Sequence, residues 1–203
     1  MSLQVETILA GALFTNTYVL SKGNDVIIID PACKLEKLEP YIKDKNVLAV
    51  LLTHGHFDHI KTVDSLYSKY KLPVYIHKDD EYLIRDKNQS VNFGLSEVIY
   101  VSSPCKYYEE GKLNIGEFEF NVIFTPGHTN GSVCLEIEDS MFTGDTLFRL
   151  SVGRTDLEGG NPSKLRNSLK LLSKIEKDLK IYPGHDAQTR LEIEKTENIF
   201  LKS

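Results

Sequence analysis

The sequence predicts an α/β fold in which strands alternate with amphipathic helices. Continuous apolar runs at residues 47–53 and 74–77 are typical of strands buried on both faces. Segments 35–43 and 163–175 instead place leucine and isoleucine three or four residues apart, which is the spacing of a helix with one buried face. No Pro- or Ser-rich linker divides the chain, so we expect residues 1–203 to form one domain.

The first half of the chain predicts a hairpin followed by strand–helix units. Two β-rich runs within residues 17–30 flank the turn cluster Lys22-Gly23-Asn24, which indicates the hairpin. Beyond the elements already named, we expect a helix at 60–70 and a short helix at 79–86. Residues 88–94, NQSVNFG, are rich in turn-forming types and could border a cleft, although a plain surface loop is the favoured interpretation.

The second half predicts two more hairpins and two more helices. The hairpins lie at 111–124, with Gly116 in the turn, and at 132–143, across Glu138-Asp139. The predicted helix at 163–175 is followed by a short strand at 179–182. A last helix at 191–201 closes the chain.

Composition narrows the class of protein. Charged residues make up 26% of the chain and the formal net charge is -5, which argues against a nucleic-acid partner and favours a small-molecule substrate. The longest apolar run, 47–52, is too short to span a membrane, and residues 1–12 do not resemble a secretory signal. Three widely spaced cysteines predict free, mostly buried thiols, as expected of a cytoplasmic protein.

Three of the six histidines fall within one short segment that also contains an aspartate. His54, His56, Asp58 and His59 directly follow the apolar run at 47–53. Imidazole and carboxylate groups are common ligands of Zn²⁺ and similar divalent ions. In an extended segment, residues two apart point to the same side, so His54 and His56 could bind one ion. Asp58 and His59 would then face a second ion.

Three later residues of ligand type occur in a repeated context. NVIFTPG precedes His128, SMFTG precedes Asp145, and KIYPG precedes His185. Each time a β-run ends, with Gly or Pro nearby, and a potential ligand follows. Because ligand sites of α/β folds gather at the carboxyl ends of strands, we expect these residues to meet the first cluster in one cleft.

Other interpretations of these histidines fit their sequence context less well. A His-rich surface loop would not be expected directly after a buried strand, and a structural zinc site would normally include cysteine ligands. A single histidine after glycine is more often a hydrogen-bonding residue, so the later histidines gain weight only together with the first cluster. His77 lacks a neighbouring Gly or Pro and is interpreted as structural.

Such a centre would be suited to hydrolysis. Two divalent ions held by two carboxylates, neutral histidines and a bridging hydroxide would leave about one net positive charge, enough to stabilise an oxyanion. The ions would also lower the pKa of bound water to roughly 7 and so generate a nucleophile. No Ser-His-Asp triad is indicated, although Ser132 lies near His128.

The motifs resemble those of the metallo-β-lactamase superfamily, whose pattern is HxHxDH followed by downstream His, Asp and His. TPGHT, FTGDTLF and YPGHD occur here in that order. Within the superfamily, the stretch 144–160, GDTLFRLSVGRTDLEGG, looks like that of small glyoxalase II-like hydrolases. The resemblance implies a four-layer αββα sandwich with the site at one edge of two packed sheets.

The resemblance also implies a role for each residue. His54, His56 and His128 would hold one metal, Asp58, His59 and His185 the second, and Asp145 would bridge them. Zinc is the expected metal, with iron or manganese as alternatives. Asp58 and Asp145 are the expected catalytic residues, and Asp58 would also orient the nucleophile. Asp30 would support the metal loop from behind, and a turn residue at a strand end is its alternative.

Several positions depart from the larger glyoxalase II enzymes. Those enzymes carry a C-terminal helical domain that helps bind glutathione, and we expect none here because the chain ends soon after His185. Leu135 replaces a tyrosine that contacts glutathione. Arg154 matches a basic substrate-binding position, with a structural ion pair as the alternative. Lys61 stands where glycine is common and could narrow the cleft.

The resulting hypothesis is a dinuclear hydrolase of a thioester such as an S-hydroxyacyl thiol, with a metal-bridging hydroxide as nucleophile. The alternatives are a mononuclear iron persulfide dioxygenase, using His54, His128 and Asp145, or a lactonase of the same fold. Three further roles rank lower. A true β-lactamase usually acts outside the cytoplasm and often has Cys where this chain has Asp145. A nuclease is disfavoured because the chain is acidic, and a non-enzymatic metal-binding module because every expected ligand is present.

Overall fold

The computed structural model describes residues 1–11 and 13–202. Its strands are, in chain order, β1 (Gln4–Ala10), β2 (Thr15–Lys22), β3 (Asp25–Ile29), β4 (Asn46–Leu51), β5 (Val74–Ile76), β6 (Lys106–Tyr107), β7 (Gly111–Ile115), β8 (Phe118–Phe124), β9 (Val133–Ile137), β10 (Ser140–Gly144), β11 (Leu147–Phe148), β12 (Ser151–Val152), β13 (Lys180–Pro183) and β14 (Thr189–Arg190). Its helices are α1 (Leu35–Ile42), α2 (Val63–Tyr70), α3 (Glu81–Arg85), α4 (Gln89–Asn92), α5 (Pro162–Ser173) and α6 (Leu191–Glu197).

Most strands belong to two six-stranded sheets. The first has the order β1-β2-β3-β4-β5-β6 and the second has the order β14-β13-β10-β9-β8-β7, while β11 and β12 form a small separate ribbon. In the first sheet, β1, β2 and β3 are antiparallel, whereas β3 to β6 run parallel. In the second sheet, β10 and β13 pair in parallel and the other pairs are antiparallel. The predicted hairpins at 17–30, 111–124 and 132–143 are confirmed.

Three apolar clusters separate four layers of secondary structure. Val26 and Ile28 of β3 pack with Leu38 of α1 and Leu66 of α2 on the outer face of the first sheet. The alternate residues of β3, such as Ile27, point into the space between the sheets, because successive side chains of a strand face opposite sides.

The second sheet repeats this division. Leu135 of β9 and Phe142 of β10 belong to the cluster between the sheets. Cys134 and Met141, their sequence neighbours, face Leu169 of α5 on the outer side. The order of layers is therefore helix, sheet, sheet and helix, which confirms the predicted α/β sandwich.

Some elements differ from the sequence prediction. β1 was not predicted, because most of its side chains are exposed and its apolar pattern is weak. It forms through seven antiparallel residue pairs with β2. The predicted helix at 60–70 begins only at Val63, since Phe57–His59 form a 3₁₀ turn. The last helix ends at Glu197 instead of 201.

The cysteines and the membrane prediction can also be compared with the structure. Cys33, Cys105 and Cys134 are free thiols, of which Cys33 and Cys134 are buried and Cys105 is half-buried. Burial raises the pKa of the Cys134 thiol to about 12. Within residues 1–11 and 13–202, no helix has the length and apolar character needed to cross a bilayer.

Candidate metal centre

Seven residues of ligand type follow four strands and meet where the two sheets adjoin. The segment with His54, His56, Asp58 and His59 follows β4 of the first sheet, whereas the other three follow β8, β10 and β13 of the second: His128, Asp145 and His185. Backbone contacts tie the two sheets together beside them. The amide of Asn16, in β2, donates to the Gly184 carbonyl at 2.7 Å.

The first group consists of three buried histidines. The potential ligand atoms of His54, His56 and His128 all lie within 4.8 Å of one another. His56 Nδ1 lies 2.9 Å from His128 Nε2, and the His54 ring centroid is 4.9 Å from the centroid of each of the other two rings. Three imidazole nitrogens therefore face a common point, which is the arrangement of a three-histidine metal site.

The second group consists of Asp58, His59 and His185, whose ligand atoms also lie within 4.8 Å of one another. Asp58 Oδ2 is 3.3 Å from His185 Nε2 and 3.5 Å from His59 Nε2. Thr15 Oγ1 donates to the same Asp58 oxygen at 2.8 Å. The carboxylate is thus held in one orientation between two imidazoles.

Asp145 lies between the two groups. Its Oδ2 is 3.4 Å from His128 Nε2 in the first group and 3.4 Å from His185 Nε2 in the second. Its Oδ1 is 3.4 Å from His59 Nε2. A single carboxylate therefore contacts imidazoles of both groups, as a ligand shared by two ions would.

Several buried polar atoms at this point have no hydrogen-bond partner among the described residues. They are His54 Nε2, His59 Nε2 and Asp145 Oδ1. An unpaired buried polar atom costs about 1–3 kcal/mol, so such atoms are rare unless an ion or water satisfies them. Divalent cations would satisfy both nitrogen and carboxylate lone pairs, and the residues present therefore fit a metal centre.

Three of the histidines are oriented through their second ring nitrogen. The Nδ1 atoms of His59, His128 and His185 lie 2.9, 2.7 and 3.0 Å from Asp30 Oδ2, the Arg154 carbonyl and the Leu13 carbonyl respectively. An Nδ1–H donated to these oxygens leaves Nε2 as the free lone pair directed at the centre. The oxygen that contacts Nδ1 thus sets the tautomer of each of these three candidate ligands.

Asp30 follows β3 in a left-handed backbone conformation with φ of 48°. Besides contacting His59, its carboxylate accepts hydrogen bonds from the Thr53 amide at 2.8 Å and the Thr53 hydroxyl at 2.6 Å. Thr53 immediately precedes His54. Asp30 therefore fixes both ends of the segment that bears the first four candidate ligands.

Burial and charge act in opposite directions on the histidines. Burial, followed by the neighbouring His128, lowers the pKa of His56 to about 3, and burial likewise lowers the pKa of His54. Burial also opposes charge on His59, but the carboxylates of Asp58 and Asp145 outweigh it and raise its pKa to about 9. The two carboxylates thus attract positive charge to the second group, where a cation would replace protons.

Asp80 is a buried residue that sequence reasoning missed. Its carboxylate accepts hydrogen bonds from the amide of Gly55 at 2.9 Å, the Thr129 hydroxyl at 2.6 Å and the amide of Gly131 at 2.6 Å. It therefore fastens the His54–His56 loop to the loop that contains His128. The sequence signal that could have identified Asp80 is its position shortly after β5, because the candidate metal ligands also follow strands.

The glycine before His185 has a steric role. A Cβ added to Gly184 would lie 2.1 Å from Asp145 Oδ1 and 2.8 Å from His59 Cε1. These distances are far below van der Waals contact, so only glycine lets the loop after β13 approach the centre this closely.

A cavity of about 610 Å³ opens onto the centre, a volume in the range of small-molecule sites. Its lining includes five candidate ligands, namely His56, Asp58, His128, Asp145 and His185. Gln89, Asn92 and Phe93 also line it. The interpretation of residues 88–94 as a plain surface loop is therefore wrong, because helix α4 brings this stretch to the cavity wall.

Three further residues that the sequence singled out, Arg154, Leu135 and His77, lie in different surroundings. Arg154 lines the cavity, but its guanidinium forms a two-bond ion pair with Asp156, with both distances 2.7 Å. Leu135 is fully buried between the sheets and does not line this cavity, so it is not placed to contact a substrate there. His77 accepts a hydrogen bond from the Asp79 amide and packs against Phe124, in agreement with a structural role.

Residues 10–185 match the metallo-beta-lactamase superfamily. Over 199 residues, the chain is 37% identical to "Probable metallo-hydrolase YqgX" of Bacillus subtilis, and the alignment covers 94% of each protein. It is 33% identical over 184 residues to "Hydroxyacylglutathione hydrolase GloC" of Haemophilus influenzae, with 87% of each covered.

Solved structures give the same picture. The BLEG-1 B3 metallo-beta-lactamase superposes with a TM-score of 0.90 at 35% identity, covering 98% of this chain and 100% of that one. The structure of TTHA1623 in a di-iron-bound form gives a TM-score of 0.89 at 36% identity, with 97% and 100% covered. These similarities identify the architecture and its metal-dependent chemistry, while the substrates of the relatives differ.

Proposed function

The chain belongs to the metallo-β-lactamase superfamily and is a metal-dependent hydrolase by that membership; from this premise we propose that it uses two divalent ions to hydrolyse a thioester such as an S-hydroxyacyl thiol. The observation that carries the proposal is the position of Asp145, whose two oxygens lie 3.4 Å from imidazoles of both candidate groups. A mononuclear site would leave the second group, Asp58, His59 and His185, without a chemical role.

We assign the ligands by these groups. His54, His56 and His128 would hold one ion, Asp58, His59 and His185 would hold the other, and Asp145 would be the ligand shared by both. The unpaired buried atoms of His54, His59 and Asp145 support this assignment. Zinc suits such nitrogen and carboxylate donors, and the di-iron form of TTHA1623 makes iron the principal alternative.

The metals would polarise the substrate carbonyl and lower the pKa of water to roughly 7. The chain's own residues position the reactants. Thr15 donates a hydrogen bond to Asp58 Oδ2 and so holds this carboxylate. Asp58 orients the attacking water by accepting a hydrogen bond from it. Arg154, on the cavity wall, is placed to bind an anionic group of the substrate once its guanidinium separates from Asp156.

A thioester is supported by the hydroxyacylglutathione hydrolase among the relatives. The cavity of about 610 Å³ has room for a polar thiol leaving group. The three free thiols of the chain favour a reducing compartment, and we propose a cytoplasmic location.

Metal analysis of the purified protein, combined with hydrolysis assays, tests the proposal. We expect two ions per chain and turnover of thioesters above that of lactones and β-lactams. His56→Ala and Asp145→Ala should each remove metal and reduce kcat/KM by at least about a thousandfold, because nucleophile activation is lost. His77→Ala is the matched control, since this histidine lies outside the centre and should retain both metal and activity.

Two results would overturn the proposal. Thioester hydrolysis that survives both His56→Ala and Asp145→Ala would show that the centre is not catalytic. One iron per chain, together with oxygen uptake in the presence of a persulfide, would instead support the dioxygenase alternative.

A further inference from the structure

A second cavity of about 350 Å³ adjoins the first. Leu13, Phe57, Asp58 and Phe93 line both cavities, so these side chains form the boundary between them. The rings of Phe57 and Phe93 are in contact, with centroids 5.4 Å apart. The two cavities are therefore parts of one continuous surface around the candidate centre.

The two cavities meet at Asp58. The larger cavity is lined by five candidate ligands, whereas Asp58 is the one candidate ligand within residues 1–11 and 13–202 that lines the smaller cavity. A substrate whose carbonyl reacts at the centre can thus extend one arm into the larger cavity and the other arm past Asp58 into the smaller one.

The smaller cavity is mainly apolar. Besides the shared side chains, its wall includes Ala32, Leu95 and Ile99, and the latter two belong to or pack against the outer core of the first sheet. The Lys61 ammonium and the Glu97 carboxylate, which also line it, are paired with each other. These two charges neutralise each other, and the third charged side chain of the wall, Asp58, belongs to the candidate centre. Thr15 and Ser96 add two hydroxyl groups to the wall. An apolar group is therefore favoured there over an ionic one.

The larger cavity has a mixed wall, in which apolar side chains such as Leu83 and Phe148 stand beside polar ones. Its wall carries Arg154 and Gln89, together with three acidic side chains outside the candidate ligand set: Asp86, Glu158 and Asp186. These groups suit a polar and extended leaving group. These additional polar and charged groups of the larger wall, which the smaller wall lacks, distinguish the two arms of the substrate.

We propose that the smaller cavity is an acyl subsite, which binds an aliphatic acyl chain while the thiol arm occupies the larger cavity. This inference rests on the proposed thioesterase function. In the reaction, the acyl–sulfur bond breaks and the acyl carbon gains the oxygen of water. The thiol leaves with one proton, and the carboxylic acid retains the other. The aliphatic chain stays in the apolar subsite throughout, away from the polar leaving group.

Acyl chain length is the direct test. The metal-loaded protein is assayed with acetyl, butanoyl and hexanoyl thioesters of N-acetylcysteamine, which share one leaving group. Burial of a methylene stabilises by about 0.8 kcal/mol, so kcat/KM should rise about fourfold for each methylene that enters the subsite. A profile that is flat or falls with chain length would overturn the inference, while the turnover itself would uphold the thioesterase function.

Matched variants locate the effect. Leu95→Ala, in the smaller cavity, should reduce the hexanoyl-to-acetyl ratio of kcat/KM several-fold. Leu157→Ala removes the same atoms from the wall of the larger cavity and should leave that ratio unchanged. An equal change in both variants, or none in Leu95→Ala, would count against the subsite.

A binding measurement separates the subsite from the reaction. The hexanoyl ketone analogue, in which CH₂ replaces sulfur, cannot be hydrolysed, and its dissociation constant can be measured by calorimetry. We expect it to bind more tightly than the acetyl analogue, and Leu95→Ala should remove most of the difference. If the analogues behave in this way although no thioester is hydrolysed, the subsite stands and the thioesterase proposal fails. Equal affinities would overturn the subsite.

Discussion

Asp145 is the residue on which the two halves of the candidate centre depend. Its side chain approaches His59, His128 and His185 from three separate segments of the chain. The sequence identified it as a potential ligand through its position after a β-run, but the near-equal distances are a property of the folded chain. Gly184 makes them possible, because any side chain there would collide with the Asp145 carboxylate.

The contact between Asp30 and His59 can be tested by substitution. Asp30→Asn keeps the shape of the side chain but removes the charge that orients His59 through Nδ1. Loss of such a supporting partner typically weakens metal affinity 10–100-fold, and we expect that range here. Competition with a chromophoric chelator measures the affinity. Asp25→Asn is the control, since Asp25 contacts the exposed Asn46 side chain instead of the centre. Unchanged affinity in Asp30→Asn would contradict the assigned role.

The role of Arg154 on the wall of the larger cavity can be tested by kinetics. If its guanidinium binds an anionic part of the thiol arm, Arg154→Ala should raise KM about tenfold, as expected for a lost hydrogen bond to a charged group, with little change in kcat. Asp156→Asn should lower KM, because it removes the partner that competes for the guanidinium.

The control for this pair is Arg190→Ala, which breaks a comparable ion pair with Asp178 away from the cavity. Steady-state kinetics with thioesters of an anionic and a neutral thiol make the comparison. A KM that responds equally for both thiols would show that Arg154 has a structural role only.

At the scale of elements, the ends of four strands deliver the candidate ligands, while short segments between strands hold them in register. Asp80 lies in the 3₁₀ turn that precedes α3 and fastens the loops around Gly55 and Gly131. α4 contributes through Gln89, whose side chain accepts a hydrogen bond from the Phe57 amide at 3.3 Å. These connections explain how loops without regular structure can keep a fixed geometry.

Asp80→Ala tests this connection. The substitution leaves the buried amides of Gly55 and Gly131 without an acceptor, while the Thr129 hydroxyl can still donate to Ser132 Oγ. Each unpaired amide costs about 1–3 kcal/mol, so we expect a loss of at least about 2 kcal/mol in the free energy of unfolding. Urea denaturation of the metal-free proteins measures it. Asp79→Ala, one residue away and exposed, should change the value by less than about 0.5 kcal/mol. Similar stability in the two variants would refute the role given to Asp80.

At the scale of the whole molecule, the candidate centre spans both sheets. His54 to His59 follow β4 of the first sheet, and the remaining ligands follow strands of the second. Metal binding would therefore add a connection between layers that are also held by the apolar cluster around Phe142 and Ile27 and by backbone hydrogen bonds such as that from Asn16 to Gly184. Binding energy at such a position contributes directly to the stability of the folded state.

Chelation tests this coupling. At a free metal concentration of about 100 times Kd, binding stabilises by about 2.7 kcal/mol, which corresponds to roughly 5–10 °C in Tm for a chain of this size. Calorimetry with and without a strong chelator measures the effect. The chelator should lower Tm by that amount in the unmodified protein and in His77→Ala. His56→Ala should show a smaller decrease. An equal response in all three would place the bound metal elsewhere.

The sequence by itself determined the layered α/β architecture, the order of most strands and helices, and the set of residues that carry ligand chemistry. It could do so because apolar periodicity and Gly or Pro at strand ends are local properties of the chain. It missed β1, whose exposed side chains give little apolar pattern, and Asp80, whose partners Gly55 and Gly131 are distant in sequence.

Only the tertiary structure decided what surrounds the cluster at His54–His59. It placed Asp145 between two groups of imidazoles, buried Leu135 between the sheets, and brought α4 to the cavity wall. It also paired Lys61 with Glu97 beside an apolar cavity. The physical reason is that ligand identity is written in single residues, whereas the shape and charge of a cavity arise from the packing of segments that are far apart along the chain.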